Sequence, residues 1–469
     1  MQYISTRGND GPLGFEDALL SGLARDGGLY LPTAWPRFSI DEIRAMQGLS
    51  YVELAGRIMA PFCEGEIDQA ELTDMARDAY SGFDDPAIAP LVKLNDDIHV
   101  LELFHGPTIA FKDYAMQFLA RAFDRALQAH GRQAVILGAT SGDTGSAALE
   151  AFQGRDAVDV FILFPEGRVS PVQQRQMTSV DAPGVHAVAV PSDFDACQDI
   201  VKTLFNEHDF RDAVNLSAVN SINWARLMPQ IVYYFSSALA LGAPDRKVAF
   251  SVPTGNFGNV FAGYVAAQMG LPIERLIVAS NQNDILTRFF ESGTMQREAV
   301  APSHSPSMDI QVSSNFERLL FELLGRDGTA VNTAMATFAK TGRFDVAASV
   351  LEKAHNMFAG YRLDDAATLA EIRQSATNDH MVLDPHSAVG VGAARMALAD
   401  GTIPAGVPII SLACAHPAKF QDAVASATGE IPALPAHLSD LMSRSEKQLF
   451  ANATPDAVKA LVLQEKRSI

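Results

Sequence analysis

From about residue 98 to residue 293, short apolar runs alternate with amphipathic stretches. Ala134–Gly138, Val158–Phe164, Val185–Val190, Val248–Pro253 and Leu276–Ser280 are brief, apolar and often β-branched, which predicts strands. Between them, Thr144–Gln153, Val172–Thr178, Phe194–Asn206, Ile222–Leu241 and Asn259–Met269 carry apolar residues at helical spacing. Strands with no polar face must be buried on both sides. The pattern therefore predicts an α/β protein of mostly parallel sheets with helices on both faces. Residues 1–90 are a separate, mainly helical region, with helices expected at Phe15–Gly22, Ser50–Ala60 and Ile67–Ala79. The run DDPAIAPLVKLNDD, 84–97, holds Pro86 and Pro90 and is expected to be a boundary. Residues 294–380 are predicted predominantly helical. Alternation then resumes, with a helix at Ser387–Leu398, a strand at Val407–Ala413 that returns to the main sheet, and a helix at Pro417–Ala427.

One lysine stands out against this pattern. Leu101, Leu103 and Phe104 form a short apolar run. Ala115, Phe118, Leu119, Ala122, Phe123, Ala126 and Leu127 recur at helical spacing, and Gly131 is placed to end that helix. Lys112 lies at the junction. A lysine held there loses hydration, which favours a neutral amine able to bond a carbonyl cofactor.

Two loops join strand to helix with glycines in the bend. Gly255-Asn256-Phe257-Gly258-Asn259 follows the strand at 248–253, and Ser141-Gly142-Asp143-Thr144-Gly145 follows the strand at 134–138. Backbone N–H groups and aligned peptide dipoles at such helix starts suit an anion. Neither loop has dinucleotide or P-loop spacing. A lysine and two anion cradles on one parallel sheet fit a cofactor with a carbonyl and a phosphate, together with an anionic amino-acid substrate. Pyridoxal phosphate has that chemistry, and the carboxyl ends of the strands are where such loops converge.

Composition narrows the class. With 469 residues, 48% of them apolar, the chain can build large cores. Its formal charge of −19 disfavours nucleic acid and anionic membrane as main partners. No apolar run approaches a membrane span, and the opening MQYISTRGND lacks a signal-peptide layout. Cys63, Cys197 and Cys414 are sparse and without metal-ligand spacing, which predicts reduced thiols, no metal site and a cytoplasmic protein.

Several segments, in order along nearly the whole chain, resemble the threonine synthase family, fold-type II pyridoxal-phosphate enzymes of the tryptophan-synthase β-subunit superfamily. They are MQYISTRG at the start, HGPTIAFKD (105–113), SGDTG, GNFGN, SPSMDIQVSSNFERL (305–319), LDPHSAVG (383–390) and AHPAKF (415–420). The lysine segment, the opening and AHPAKF are the most specific. The resemblance implies an N-terminal domain at 1–90 and a cofactor-binding core at 91–293 with a smaller mobile subdomain at about 115–215. It leaves 294–469 as the remainder of the large domain. It implies that Lys112 is the Schiff-base lysine, and that Gly255, Asn256, Phe257, Gly258 and Asn259 cradle the cofactor phosphate. Cys414 stands where the family is expected to place a threonine facing the pyridine nitrogen. Ser141, Gly142 and Thr144 are expected to contact a substrate anion, with Asp143 as a capping or orienting group. Asn223 and Arg226 are candidates for the substrate phosphate, and His105 and His386 for groups around the site. The implied substrate is O-phospho-L-homoserine, handled by a monomer or homodimer and converted to threonine. The same motifs also serve a phospholyase or dehydratase that releases a 2-oxo acid, and a non-catalytic binding module would keep the fold alone.

Overall fold

The computed structural model describes residues 1–467. Two sheets organise it. The larger has six strands in the order Phe358–Arg362, Ile273–Ser280, Val248–Pro253, Ile409–Ala413, Ile98–Glu102 and Leu91–Lys93. Every neighbouring pair is parallel except the last, which is antiparallel. The smaller sheet has five parallel strands in the order Leu449–Phe450, Val185–Val190, Val158–Pro165, Ala134–Ala139 and Leu216–Ser217. Val248–Pro253, Ile409–Ala413 and Val158–Pro165 are buried at every residue. That is why these segments read as unbroken apolar runs rather than alternating ones.

The strand expected to return from the chain's end does so. Ile409–Ala413 lies between Val248–Pro253 and Ile98–Glu102, with Ile409 opposite both Ala249 and Ile98. The three strand ends Pro253, Ala413 and Ala139 deliver the GNFGN loop, Cys414 and the SGDTG loop. The N-terminal residues are part of the main core. Tyr3 and Phe62 pack their rings 5.9 and 5.4 Å from Trp224, and Arg7 pairs with buried Glu317 at 3.0 Å. Ser50 and Glu53 form a capping box at the start of the Tyr51–Met59 helix, as the polar start of that segment predicts. Among the described residues no helix is long and apolar enough to cross a membrane.

Two expectations are qualified by the structure. First, the stretch 294–380 is predominantly helical, as expected, but it also contributes strands. Phe358–Arg362 forms an edge of the large sheet, and Thr294–Gln296 pairs antiparallel with Arg343–Asp345. Phe358–Arg362 is FAGYR, with a glycine and an arginine, and an edge strand with one exposed side needs no apolar run. Second, 294–469 does not belong wholly with the large sheet. Leu449–Phe450 adds to the small sheet beside Val185–Val190. The helix Pro455–Glu465 then packs on Phe194–Asn206. Arg467 ends the tail by donating from Nε and its backbone N to the Asp159 carboxylate at 2.6 and 2.9 Å.

Candidate active site

The path from Leu103 to Lys112 is pinned to the end of the strand Ile409–Ala413. Leu103 N donates to Ala413 O at 3.0 Å, and Phe111 N donates to Cys414 O at 2.8 Å. Ala110 and Ala415 form an isolated bridge. Ile109 is held at φ 54°, a costly backbone for a β-branched residue. It is fixed from both sides, with its N donating to Gly106 O at 3.0 Å and its O accepting from His416 N at 3.1 Å. Tertiary contacts thus impose this bend, which turns the chain into the helix Lys112–Ala129. Asp113 locks the turn: its carboxylate accepts from Thr108 N at 2.9 Å and Thr108 Oγ1 at 2.6 Å.

Lys112 is mostly buried, and its Nζ lies 2.9 Å from Asp143 Oδ2. The expectation of an amine among apolar groups is corrected here, because the structure gives it a buried carboxylate partner. Asp143 receives four donors. Oδ2 takes Lys112 and Ser307 Oγ (3.1 Å), and Oδ1 takes Gln173 Nε2 (2.8 Å) and Lys419 Nζ (3.1 Å). Burial alone would raise this carboxyl. Lys112, Lys419 and His386, with the Gln173 hydrogen bond, outweigh burial and hold it well below the usual carboxylate range.

Ser307 links this cluster to the GNFGN loop. A Cβ on Gly255 would come 3.0 Å from Ser307 O and 3.3 Å from Met308 Cα, a tight approach to backbone that favours glycine. Phe257 takes the left-handed conformation (φ 63°) at the N-cap of the helix Gly258–Gln268, and no side chain caps that helix. Its first N–H groups are therefore open to an acceptor from outside the chain. Tyr233 and Tyr234 hydroxyls both donate to Asn259 Oδ1, at 2.7 and 2.9 Å. That fixes the amide so that Nδ2 points elsewhere, and this buried donor has no partner. An uncapped helix start beside an orphaned buried N–H donor fits a phosphate.

The SGDTG loop has the same outline and a different interior. Thr140 Oγ1 accepts from Gly142 N at 3.0 Å and from Gly145 N at 2.9 Å. The expectation that Gly142 contacts a substrate anion is thereby corrected: its N–H is taken by the chain itself. Gly142 is needed for a different reason, since at φ 143° its Cβ would lie 2.4 Å from Gln173. Ser141 is exposed and Thr144 half-buried.

Asn223 is corrected as a substrate contact, and Arg226 is joined to the Lys112 cluster by no hydrogen bond. Asn223 is fully buried; its Oδ1 accepts from Ala225 N at 3.0 Å and its Nδ2 donates to Leu19 O at 2.8 Å. Arg226 is buried and spends Nη1 on Val219 O at 2.7 Å. Neither hydrogen-bonds the Lys112 cluster. Asn is a common N-cap at a helix start, and NSINWARL carried that signal as well.

His105 stands apart, between Asp84 and Glu102 at 2.7 and 2.8 Å. His386 is in the cluster. Its Nε2 accepts from Ser307 N at 3.2 Å, and its Nδ1 lies 2.7 Å from Asp384 Oδ2. Asp384 also accepts from Ser387 Oγ, which in turn accepts from Cys414 N at 2.9 Å. Burial pushes the Cys414 thiol up, so it stands as a neutral weak donor. Lys419, Gln173, Ser307 and Asp384 were not singled out from the sequence. Lys419 lies inside AHPAKF, and a lysine in an apolar segment just after a buried strand was the available signal.

Comparison with known proteins bears on this arrangement. Three family models match in sequence: "Threonine synthase N terminus" over residues 2–80, "Pyridoxal-phosphate dependent enzyme" over 86–415 and "Threonine synthase, C-terminal" over 387–462. The chain is 51% identical to threonine synthase of Pseudomonas aeruginosa over 448 residues, covering 95% of each. It superposes on the pyridoxal-phosphate-bound threonine synthase of Brucella melitensis with a TM-score of 0.97, 54% identity and 100% of both chains. On the yeast threonine synthase structure the TM-score is 0.94, at 40% identity over 99% of this chain and 98% of that one. Matched from its first strand to its last helix, and built as a fold-type II α/β enzyme, the chain belongs to the threonine synthase family of pyridoxal-phosphate-dependent enzymes.

Proposed function

We propose that this chain is a pyridoxal-phosphate-dependent threonine synthase that converts O-phospho-L-homoserine and water to L-threonine and phosphate. The observation that carries the reading is the linkage from Lys112 Nζ through Asp143 and Ser307 to the Gly255 turn. It joins an amine to a phosphate cradle through contiguous contacts. Backbone amides of Gly255 to Asn259 would hold the cofactor phosphate, with Asn259 Nδ2 as a further donor, and Cys414 would face the ring nitrogen. When bound, the cofactor supplies an aldehyde for the lysine amine and a conjugated ring that takes up charge developing on substrate carbon.

Lys112 then serves as the base. Its amine, once freed, would take the α proton of the substrate. Asp143 balances the proton that Nζ acquires. Ser141 and Thr144 hydroxyls donate to a substrate anion. Overall, phosphate leaves the γ carbon, a proton arrives there, and water adds its hydroxyl to the β carbon. The SGDTG loop comes from the small sheet and the GNFGN loop from the large one, which supports closure of the smaller unit, about residues 115–215, over the substrate. The three free, buried cysteines support a reducing, cytoplasmic setting.

The test is incubation with phosphohomoserine while phosphate and threonine are followed together. Equal release of both is expected. Phosphate accompanied by 2-oxobutyrate would instead make the protein a phospholyase.

A further inference from the structure

Lys419 is the most deeply buried cation of the site, and the reaction outlined above leaves it without a task. It sits in the turn Pro417–Phe420 that follows the strand Ile409–Ala413, and its side chain is 0% exposed. A lysine is almost never buried so completely unless it is paired. Its Nζ donates to Thr108 O at 2.8 Å and lies 3.1 Å from Asp143 Oδ1. The Thr108 carbonyl is itself fixed. It also accepts from Gln176 Nε2 at 3.0 Å, and the rest of Thr108 is held by Asp113. Lys419 is therefore clamped by a frame that does not include Lys112.

Lys112 is the opposite kind of cation. Its amine must leave Asp143 whenever it turns to cofactor or substrate. When it does, Asp143 keeps the neutral donors Ser307 and Gln173, and Lys419 as the permanent charge. The other titratable groups facing Asp143 are His386, on the helix Pro385–Ala399, and the Cys414 thiol at the strand end. His386 is already engaged by Asp384 and Ser307, and Cys414 is neutral. We propose that Lys419 is a positioning residue: a fixed counter-cation that keeps Asp143 ionised and aimed at Lys112 Nζ throughout the cycle, so that the lysine ammonium always has a carboxylate to pair with. The inference rests on Lys112 being the cofactor-bearing lysine.

The test uses the holoenzyme and the Lys419→Met and Lys419→Gln variants, alone and with Asp143→Asn. Glutamine keeps a donor near Thr108 O and Asp143 without the charge, so it separates charge from packing if the methionine variant folds poorly. Two readouts are followed against pH: absorbance of the bound cofactor, and kcat/KM. In Lys419→Gln the acid-side transition of both should move up by about one pH unit or more, which is a roughly tenfold loss on the acid limb. Asp143→Asn should abolish that transition, and adding Lys419→Gln to it should change nothing further. An acid limb identical in wild type and Lys419→Gln would overturn the proposal. So would a Lys419→Gln loss undiminished in the Asp143→Asn background and confined to KM, which would make Lys419 a substrate contact. A wild-type protein with no cofactor absorbance would sink the reading of Lys112 itself, whereas normal absorbance with an unmoved limb sinks only the role of Lys419.

Discussion

The GNFGN and SGDTG loops are two versions of one device, a parallel strand running through a glycine bend into a helix. In GNFGN the helix start is left uncapped and a buried amide donor beside it has no partner. In SGDTG a threonine hydroxyl takes two of the N–H groups, and the first helical residue, Asp143, sends its carboxylate to two lysines. One bend leaves its donors open. The other holds an anion of its own. Glycines and polar residues in a bend therefore establish its shape. The residue just before the bend, here Thr140, decides whether its donors are free.

This contrast can be broken or sharpened by substitution. The largest effect is expected at the group between the loops: Lys112→Ala should lower turnover by roughly a thousandfold or more and remove the absorbance of the lysine-bound cofactor. Asp143→Asn is next. Removing one partner of a buried ion pair should cost about 3 kcal/mol at neutral pH, read by denaturant melts. Because the Asp143 carboxyl is held low in the folded protein, that advantage is present above the ordinary carboxylate range. It should fade as pH falls through the lowered value, so that the wild-type and variant melts converge in acid.

The loops themselves should then part company. Gly255→Val pushes into Ser307 and should weaken cofactor binding by about tenfold or more, roughly 1.4 kcal/mol, measured by fluorescence titration. Gly142→Ala meets Gln173 instead and should lower stability by about 1–3 kcal/mol while cofactor affinity holds. Equal losses of cofactor affinity in the two would erase the distinction. Thr140→Val strips the acceptor from two buried N–H groups and should cost about 1–2 kcal/mol, with Thr140→Ser close to wild type. The smallest effect is at Asn223, where alanine should cost about 1 kcal/mol of stability through the lost helix cap. An unchanged KM would confirm that this side chain serves the fold.

The sheets were legible because their strands are covered on both faces, which leaves a strong apolar signature. Phe358–Arg362 lacked that signature because an edge strand does not need it. Lys112 and GNFGN were legible because their function sits in local sequence. The Asp143 cluster was not, since Lys419, Gln173, Ser307 and His386 reach it from four distant segments and only the folded topology joins them. Asn223 misled for a related reason: capping and ligand binding call for the same amide, and the pattern cannot say which the fold uses.

The tail that adds Leu449–Phe450 to the smaller sheet has a bearing on biosynthesis. That sheet's other strands lie between Ala134 and Ser217, yet its edge strand Leu449–Phe450 and the Arg467 clasp on Asp159 come from a segment far downstream. A ribosome must translate beyond Phe450 before this edge is sealed. Until then Val185–Val190 presents an unpaired margin to its surroundings, which makes the nascent chain's most vulnerable moment a late one.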